Sequence, residues 1–170
     1  MNASTLSRPV PIAASHDVTG FESGEPSLDE WLKRRALKNQ ASGASSCFVL
    51  CENDTVIGYY SLSAGAINHE SAPKSMRRNM LDPLPVLLLG RLAIDRRHHN
   101  RGLGRGLLKD AVLRAVSVAR DTGVFAVLVH ALSDEAKRFY LAQGFVESPL
   151  QPMTLLITLQ TVRTILSEPG

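Results

Sequence analysis

The stretch "RRHHNRGLGRGLLKD", residues 96–110, decides how this chain is read. Four arginines, two histidines and three glycines crowd into it. The run before it, "DPLPVLLLGRLAID" (residues 82–95), is almost continuously apolar and reads as a strand buried on both faces. After it, Leu107, Leu108, Ala111, Val112, Ala115, Val118 and Ala119 recur at spacings of three and four, an amphipathic helix stopped by Gly123. A glycine-rich turn between a buried strand and a helix start offers unpaired N–H groups and the positive end of the helix dipole to an anion. Two familiar phosphate loops are excluded. A Walker loop needs Gly-Lys-Ser/Thr, and Gly106 is followed by Leu107 and Leu108. A dinucleotide fingerprint follows the first strand of its unit with other glycine spacings, and this loop comes late.

Outward from the loop, the elements fall in order. "RPVPIAASHDV" reads as an edge strand, and Ser27 with Glu30 as a capping box for a helix. Leu28, Trp31, Leu32, Arg35 and Ala36 follow helical spacing, and Gly43 ends that helix. "SSCFVLCEN" and "TVIGYYSLSAGAI" form a hairpin around Asn53 and Asp54, and "SAPKSMRRN" a basic loop or short helix. Downstream, "VFAVLVHAL" is a buried strand, and Ser133 caps the helix "DEAKRFYLAQ", which Gly144 ends. "FVES" and "MTLLITL" are closing strands, and "QTVRTIL" a last short helix. This order predicts an α/β (mixed α+β) fold: one domain over 1–170, a central mixed twisted sheet, and helices on both faces.

The bulk properties fit. At 170 residues, with 44% hydrophobic and 21% charged residues, the chain suits one globular domain with a sizeable core. No apolar run approaches the ~20 residues of a membrane span, and "MNASTLSRPVPIAASHD" has no signal-peptide pattern, so a cytoplasmic location is expected. In an extended strand, Cys47 and Cys51 would lie ~13 Å apart, too far for a disulfide. They read as buried small hydrophobes, and no further cysteine completes a metal site, so no metal is expected. The net charge of +3 hides an asymmetry: residues 33–105 carry 12 Lys/Arg against 5 Asp/Glu. A basic segment of that kind suits a polyanionic partner.

Arg101-Gly-Leu-Gly104-Arg-Gly106 follows the pattern Arg/Gln-x-x-Gly-x-Gly/Ala. With "LGRLAID" before it and "AKRFYLAQGF" after it, the stretch over residues 85–147 resembles the acyl-coenzyme A site of the GNAT N-acetyltransferase superfamily. The resemblance implies that the sheet splays at that site. It also implies that the backbone of Asn100, Arg101, Gly102, Leu103, Gly104, Arg105, Gly106 and Leu107 holds the coenzyme pyrophosphate. Leu92, Ala93 and Ile94 would pair with the pantetheine arm, and Phe139 would pack in the core or on the coenzyme. Tyr140 occupies the position of the catalytic acid, which donates to the departing thiolate, and a backbone N–H of the Leu92–Ile94 strand would meet the oxyanion. For a general base the candidates are His130, Glu135, His69 and Tyr60, while His98 and His99 read as anion contacts or surface. An α-amine, with a pKa of ~7.7–8.0, can react without a base, which favours it over a lysine at ~10.4.

From about Phe21 to Leu166, the segments "FESGEPSLDEWLKRRALKNQASGASSCFVL", "VIGYYSLSAGAI" and "PLPVLLLGRLAIDRR" are similar to GNAT-type toxins of bacterial toxin–antitoxin systems. That resemblance implies an enzyme using acetyl-CoA to acetylate the α-amino group of aminoacyl-tRNA, which blocks translation. It also implies a ribbon-helix-helix antitoxin, operator DNA bound only through the antitoxin complex, no membrane, and a homodimer. Clusters at Lys33, Arg34, Arg35 and Lys38, at Lys74, Arg77 and Arg78, and at Arg91, Arg96 and Arg97 are candidate contacts to tRNA phosphates. Alternatives are a GNAT enzyme acting on a protein N-terminus or small amine, and a non-catalytic binding module.

Overall fold

The computed structural model describes residues 6–167, so residues 1–5 of the stretch read for a targeting signal, and 168–170 at the other end, lie outside them. The chain runs through β1 (Val10–Pro11), α1 (Pro26–Arg34), α2 (Ala36–Ser42), β2 (Ser46–Glu52), β3 (Thr55–Ile67), α3 (Lys74–Arg77) and β4 (Leu84–Ile94). It continues through α4 (Leu103–Thr122), β5 (Ala126–His130), α5 (Asp134–Ala142), β6 (Val146–Glu147), β7 (Thr154–Thr158) and α6 (Leu159–Ser167). The strands form one mixed sheet in the order β1-β2-β3-β4-β5-β7-β6. β4 and β5 are parallel, whereas β1–β2, β2–β3, β5–β7 and β6–β7 are antiparallel. This is the expected α/β class. The chain forms two compact units, residues up to 63 with 90–111, and 64–89 with 112 onward.

In the first unit the hairpin turns at Asn53, whose φ of 58° is the left-handed conformation that asparagine tolerates. A bulge between Leu50 and Cys51 shifts the register, so Val49 pairs with Tyr59 and Cys51 with Val56. Val49, Cys51, Val56 and Tyr59 thereby share a core with Phe21, Trp31, Leu32 and Ala36. Cys47 and Cys51 are buried there as free thiols. Burial pushes the Cys47 thiol up to about 12, so it stays protonated and unreactive.

Two expectations about the first helix change. No side chain caps α1: Glu25 is the N-cap residue, and Pro26 opens the helix at a position where its missing N–H costs nothing. Ser27 is therefore already helical, and Asp29 instead accepts from Ser23 N–H (3.0 Å) and Oγ (2.6 Å). The helix also breaks at Arg35 (φ −120°, ψ −30°). Gln40 Oε1 accepts the Cys47 N–H at 2.7 Å, so β2 sets the direction of α2. Gly43 closes α2 with φ 79°, as its position in the sequence implies.

In the second unit β5 pairs with β7 from Ala126↔Thr158 to His130↔Thr154. Ala126, Leu128 and Leu156 pack on Ala72 and Met76, so one sheet face is covered by the α3 segment. Ile157 points the other way, toward Gly144 and Ile165. β4 is buried at Leu84, Val86, Leu87 and Leu89, but Gly90 is exposed and Leu92 half-buried, so burial on both faces holds only for its first half. α4 ends at Gly123 as read, but Val118 is exposed because the last turns of the helix run past the core.

Ser133 caps α5 by accepting the Ala136 N–H at 3.1 Å. Ser133→Ala should lower unfolding free energy by about 0.5–2 kcal/mol. Urea denaturation reads this, and an unchanged midpoint would mean that α5 does not depend on its cap.

Candidate active site

The glycine loop is built from the end of β4. Ala93 and Ile94 are buried, Leu92 is half-buried, and the Asp95 N–H continues the strand by donating to Ile57 O at 2.8 Å. The Asp95 side chain is fully buried. Its carboxylate accepts from the N–H groups of Glu22 and Arg97 (both 3.0 Å) and from Arg97 Nε (2.9 Å) and Nη2 (3.0 Å). Burial alone would raise its pKa, but the Arg97 guanidinium and these N–H groups outweigh it and hold the carboxyl at about 2. Arg97 also reaches Gly20 O, and Arg96 pairs with Glu22 at 2.8 Å.

Beyond this anchor the chain makes a 3₁₀ turn, Arg96–His98. His99 Nε2 donates to Ile94 O at 2.7 Å, and Arg101 donates to His98 Nδ1 at 2.6 Å. Asn100 (φ 65°) and Gly102 (φ 74°) are left-handed, which brings the backbone round sharply into α4. The helix starts at Leu103, so Gly104 and Gly106 lie in its first turn rather than in the loop. A Cβ at Gly106 would meet nothing within 4 Å, so that side of the first turn is open. The first N–H groups of a helix have no intrahelical partner. With Arg101 and Arg105 exposed beside them, their donor chemistry fits a pyrophosphate.

Tyr140 sits in the second unit, on α5. Its ring packs edge-on against Phe139 (5.2 Å) and Phe145 (5.3 Å). Burial raises its hydroxyl to about 12, and that hydroxyl makes no hydrogen bond among the described residues. The other tyrosine considered for chemistry, Tyr60, is fully buried and donates its hydroxyl to the carboxylate of Asp110 on α4.

The basic residues divide by employment. Arg91 lies over the Trp31 ring at 4.2 Å, and Arg97 is committed to Asp95. Arg77 donates to His69 O at 3.0 Å and shapes its own loop. Arg34 makes a loose exposed pair with Glu30 at 3.6 Å, while Lys33, Lys38, Lys74 and Arg78 are exposed. Lys33, Arg34, Lys38, Arg91, Arg96 and Arg97 belong to the first unit, and Lys74, Arg77 and Arg78 to the second. Asp95 was missed as an organiser; its signal is an acidic residue closing an apolar strand just before two arginines. Among the described residues, no three His, Cys, Asp or Glu side chains group as metal ligands.

A strand, a sharp left-handed turn and an open helix start offer the donors that a transferase using a phosphate-bearing coenzyme needs. Residues 43–147 match the acetyltransferase (GNAT) domain, and the chain belongs to that family. It is 47% identical over 165 residues to the tRNA-acetylating toxin of Mycobacterium tuberculosis (strain ATCC 25618 / H37Rv), covering 97% of this chain and 99% of that protein. Among solved structures, AtaTR bound with AcCoA matches with a TM-score of 0.82 at 25% identity, over 95% of this chain and 98% of that one. The KacTA–DNA complex matches with a TM-score of 0.81 at 27% identity, over 97% of this chain and all of that one.

Asp95 makes acid stability predictable. Its folded carboxyl titrates at about 2, below the ordinary ~3.9, so its stabilisation is present above pH ~4 and is lost as pH falls toward 2. Asp95→Asn should be less stable than the parent at neutral pH, with the gap closing between pH ~4 and ~2. Urea midpoints across that range read it; a gap independent of pH would show that the carboxylate charge is not what stabilises.

Proposed function

We propose that this chain is an acetyl-CoA-dependent N-acetyltransferase that acetylates the α-amino group of aminoacyl-tRNA, and so acts as the translation-blocking toxin of a toxin–antitoxin pair. The observation that carries this reading is its end-to-end likeness, at 47% identity, to a tRNA-acetylating toxin. Named residues support the reading. The backbone from Asn100 to Leu107 would hold the coenzyme pyrophosphate, with Arg101 and Arg105 adding charge. Leu92, Ala93 and Ile94 would align the pantetheine arm, a strand N–H would meet the oxyanion, and Phe139 would pack beside the coenzyme.

Tyr140 is the acid candidate. At about 12 its hydroxyl keeps its proton at neutral pH. Full transfer to a thiolate, whose thiol titrates near ~8.5, would run uphill by about 5 kcal/mol. Tyr140 therefore acts best as a hydrogen-bond donor to the departing sulfur, and water completes the protonation. Its unpartnered hydroxyl and clamped ring suit that role.

The exposed Lys33, Lys38 and Arg78 are placed to meet tRNA phosphates; Arg34, from its loose pair with Glu30, and Arg91, Arg96, Arg97 and Arg77 would contribute from positions they already hold. A ribbon-helix-helix antitoxin, operator DNA through that complex, a homodimer, and one working domain over 1–170 complete the reading, in the cytoplasm. Among the described residues no helix is long and apolar enough to cross a membrane.

The deciding experiment is acetyl transfer from acetyl-CoA to a total charged-tRNA pool. Wild-type protein should acetylate aminoacyl-tRNA, and Tyr140→Phe should lose about 10²- to 10⁴-fold in turnover with acetyl-CoA binding retained. No transfer by the wild type would refute the reading, and full turnover by the variant would return Tyr140 to packing. Gly104→Asp puts a carboxylate at the open helix start. Calorimetry should show acetyl-CoA affinity collapse in a variant with a native circular-dichroism spectrum; unchanged affinity would sink the loop assignment.

A further inference from the structure

Helix α5 carries Tyr140, and the chain then turns back at once along the same helix. Gly144, with φ 101°, makes the reversal. The N–H groups of Gln143 and Phe145 both donate to Tyr140 O, at 3.0 and 3.2 Å. β6 follows, pairing Val146 with Leu156 and Glu147 with Leu155 on the buried strand β7.

Two side-chain contacts cross from α5 to this returning segment. Phe145 packs edge-on against the Tyr140 ring at 5.3 Å. Lys137 Nζ pairs with Glu147 Oε1 at 2.7 Å. The two contacts are not independent. Lys137 and Tyr140 are three apart on a helix, so they stand one above the other on one face. Phe145 and Glu147 are two apart on an extended segment, so they point the same way, while Val146 between them is exposed. The contacts are therefore successive rungs between one helix face and one strand face. All of these residues belong to the second unit.

The ion pair is more than a loose surface contact. The Lys137 side chain is only 17% exposed, and a partly buried pair is screened far less than a solvated one. β6 itself is two residues long, shorter than an ordinary strand, so its ladder alone holds the returning segment weakly. The Lys137–Glu147 rung supplies the second point of attachment, next to Phe145.

We propose that Lys137, through Glu147, is a positioning residue for the Tyr140 hydroxyl: the pair clamps Phe145 against the tyrosine ring and so fixes the direction in which the hydroxyl donates. The proposal rests on the reading of Tyr140 as the donor to the departing sulfur. A donor that acts in the transition state has to be oriented before the reaction begins. A ring that rocks spreads its hydroxyl over several directions, and misplacement of a reacting group lowers turnover without weakening binding.

The test uses the full chain with acetyl-CoA and charged tRNA. Lys137→Met keeps the stem and removes the charge. It should lower kcat about 10-fold and leave the KM for acetyl-CoA unchanged. Exchanging the charges, Lys137→Glu with Glu147→Lys, should recover most of the lost kcat. In a Tyr140→Phe background, Lys137→Met should cost nothing further, because the lysine acts only through the hydroxyl. Wild-type kcat in the single variant, or an equal loss in both backgrounds, would overturn the proposal. A wild type without transfer would overturn the acetyltransferase reading instead, and ring motion then tests the clamp by itself. In NMR of ring-labelled tyrosine, the Tyr140 signals are those absent from Tyr140→Phe. The wild type should show separate signals for the two sides of that ring, and Lys137→Met should show them averaged. Identical ring spectra would overturn the clamp whatever the activity.

Discussion

The buried carboxylate of Asp95 is the constraint from which the glycine loop takes its shape. An unpaired charge at that depth would be untenable, and four hydrogen bonds from Glu22 and Arg97 make it stable as an anion. One side chain thereby fastens the end of β4 to the segment before α1 and starts the turn that leads to the loop. His99, bound to Ile94 O, continues the same wrapping. By the time the chain reaches the left-handed Asn100 and Gly102, its direction into α4 is set. The open helix start exists because the residues before it are held, not because the glycines are flexible.

Chemically alike groups are sorted by what surrounds them. Tyr60 and Tyr140 are both buried, but Tyr60 spends its hydroxyl on Asp110 while the hydroxyl of Tyr140 is left to donate elsewhere. The basic residues divide in the same way. Arg97 is a structural cation and Arg91 packs on an aromatic ring, whereas Lys33, Lys38, Lys74 and Arg78 face solvent. The excess positive charge of residues 33–105 is thus partly an internal matter, and the share available to a polyanion is smaller than composition suggests. His130 is a third case: its Nδ1 lies 2.9 Å from the hydroxyl of Thr154, which in turn donates to Gln151 Oε1.

Much was legible in the sequence because its cause is local. Gly43 and Gly123 stop helices by adopting left-handed backbone, Asn53 turns the hairpin, and Ser133 caps α5 within its own first turn. The strand–loop–helix around Gly102 is read from periodicity alone, and the acid candidate Tyr140 from its resemblance to known acetyltransferases. Where local signals compete, reading fails. Ser27 has the spacing of a cap, but Pro26 takes the first helical position and displaces it. The helix through Arg35 is periodic, yet β2 redirects it through Gln40.

By itself, then, the sequence determined the order of elements and the glycine turn between β4 and α4, since each follows from residues within a few positions of one another, while the class of chemistry came from resemblance. Only the tertiary structure decided which charges are employed and which are free. Asp95 finds the Glu22 N–H 73 residues away, Tyr60 finds Asp110 at a separation of 50, and His130 finds Thr154 at 24. A charged or titratable side chain has no function until its partner is known, and at such separations the partner is set by how strands register and what the core excludes, which periodicity does not encode.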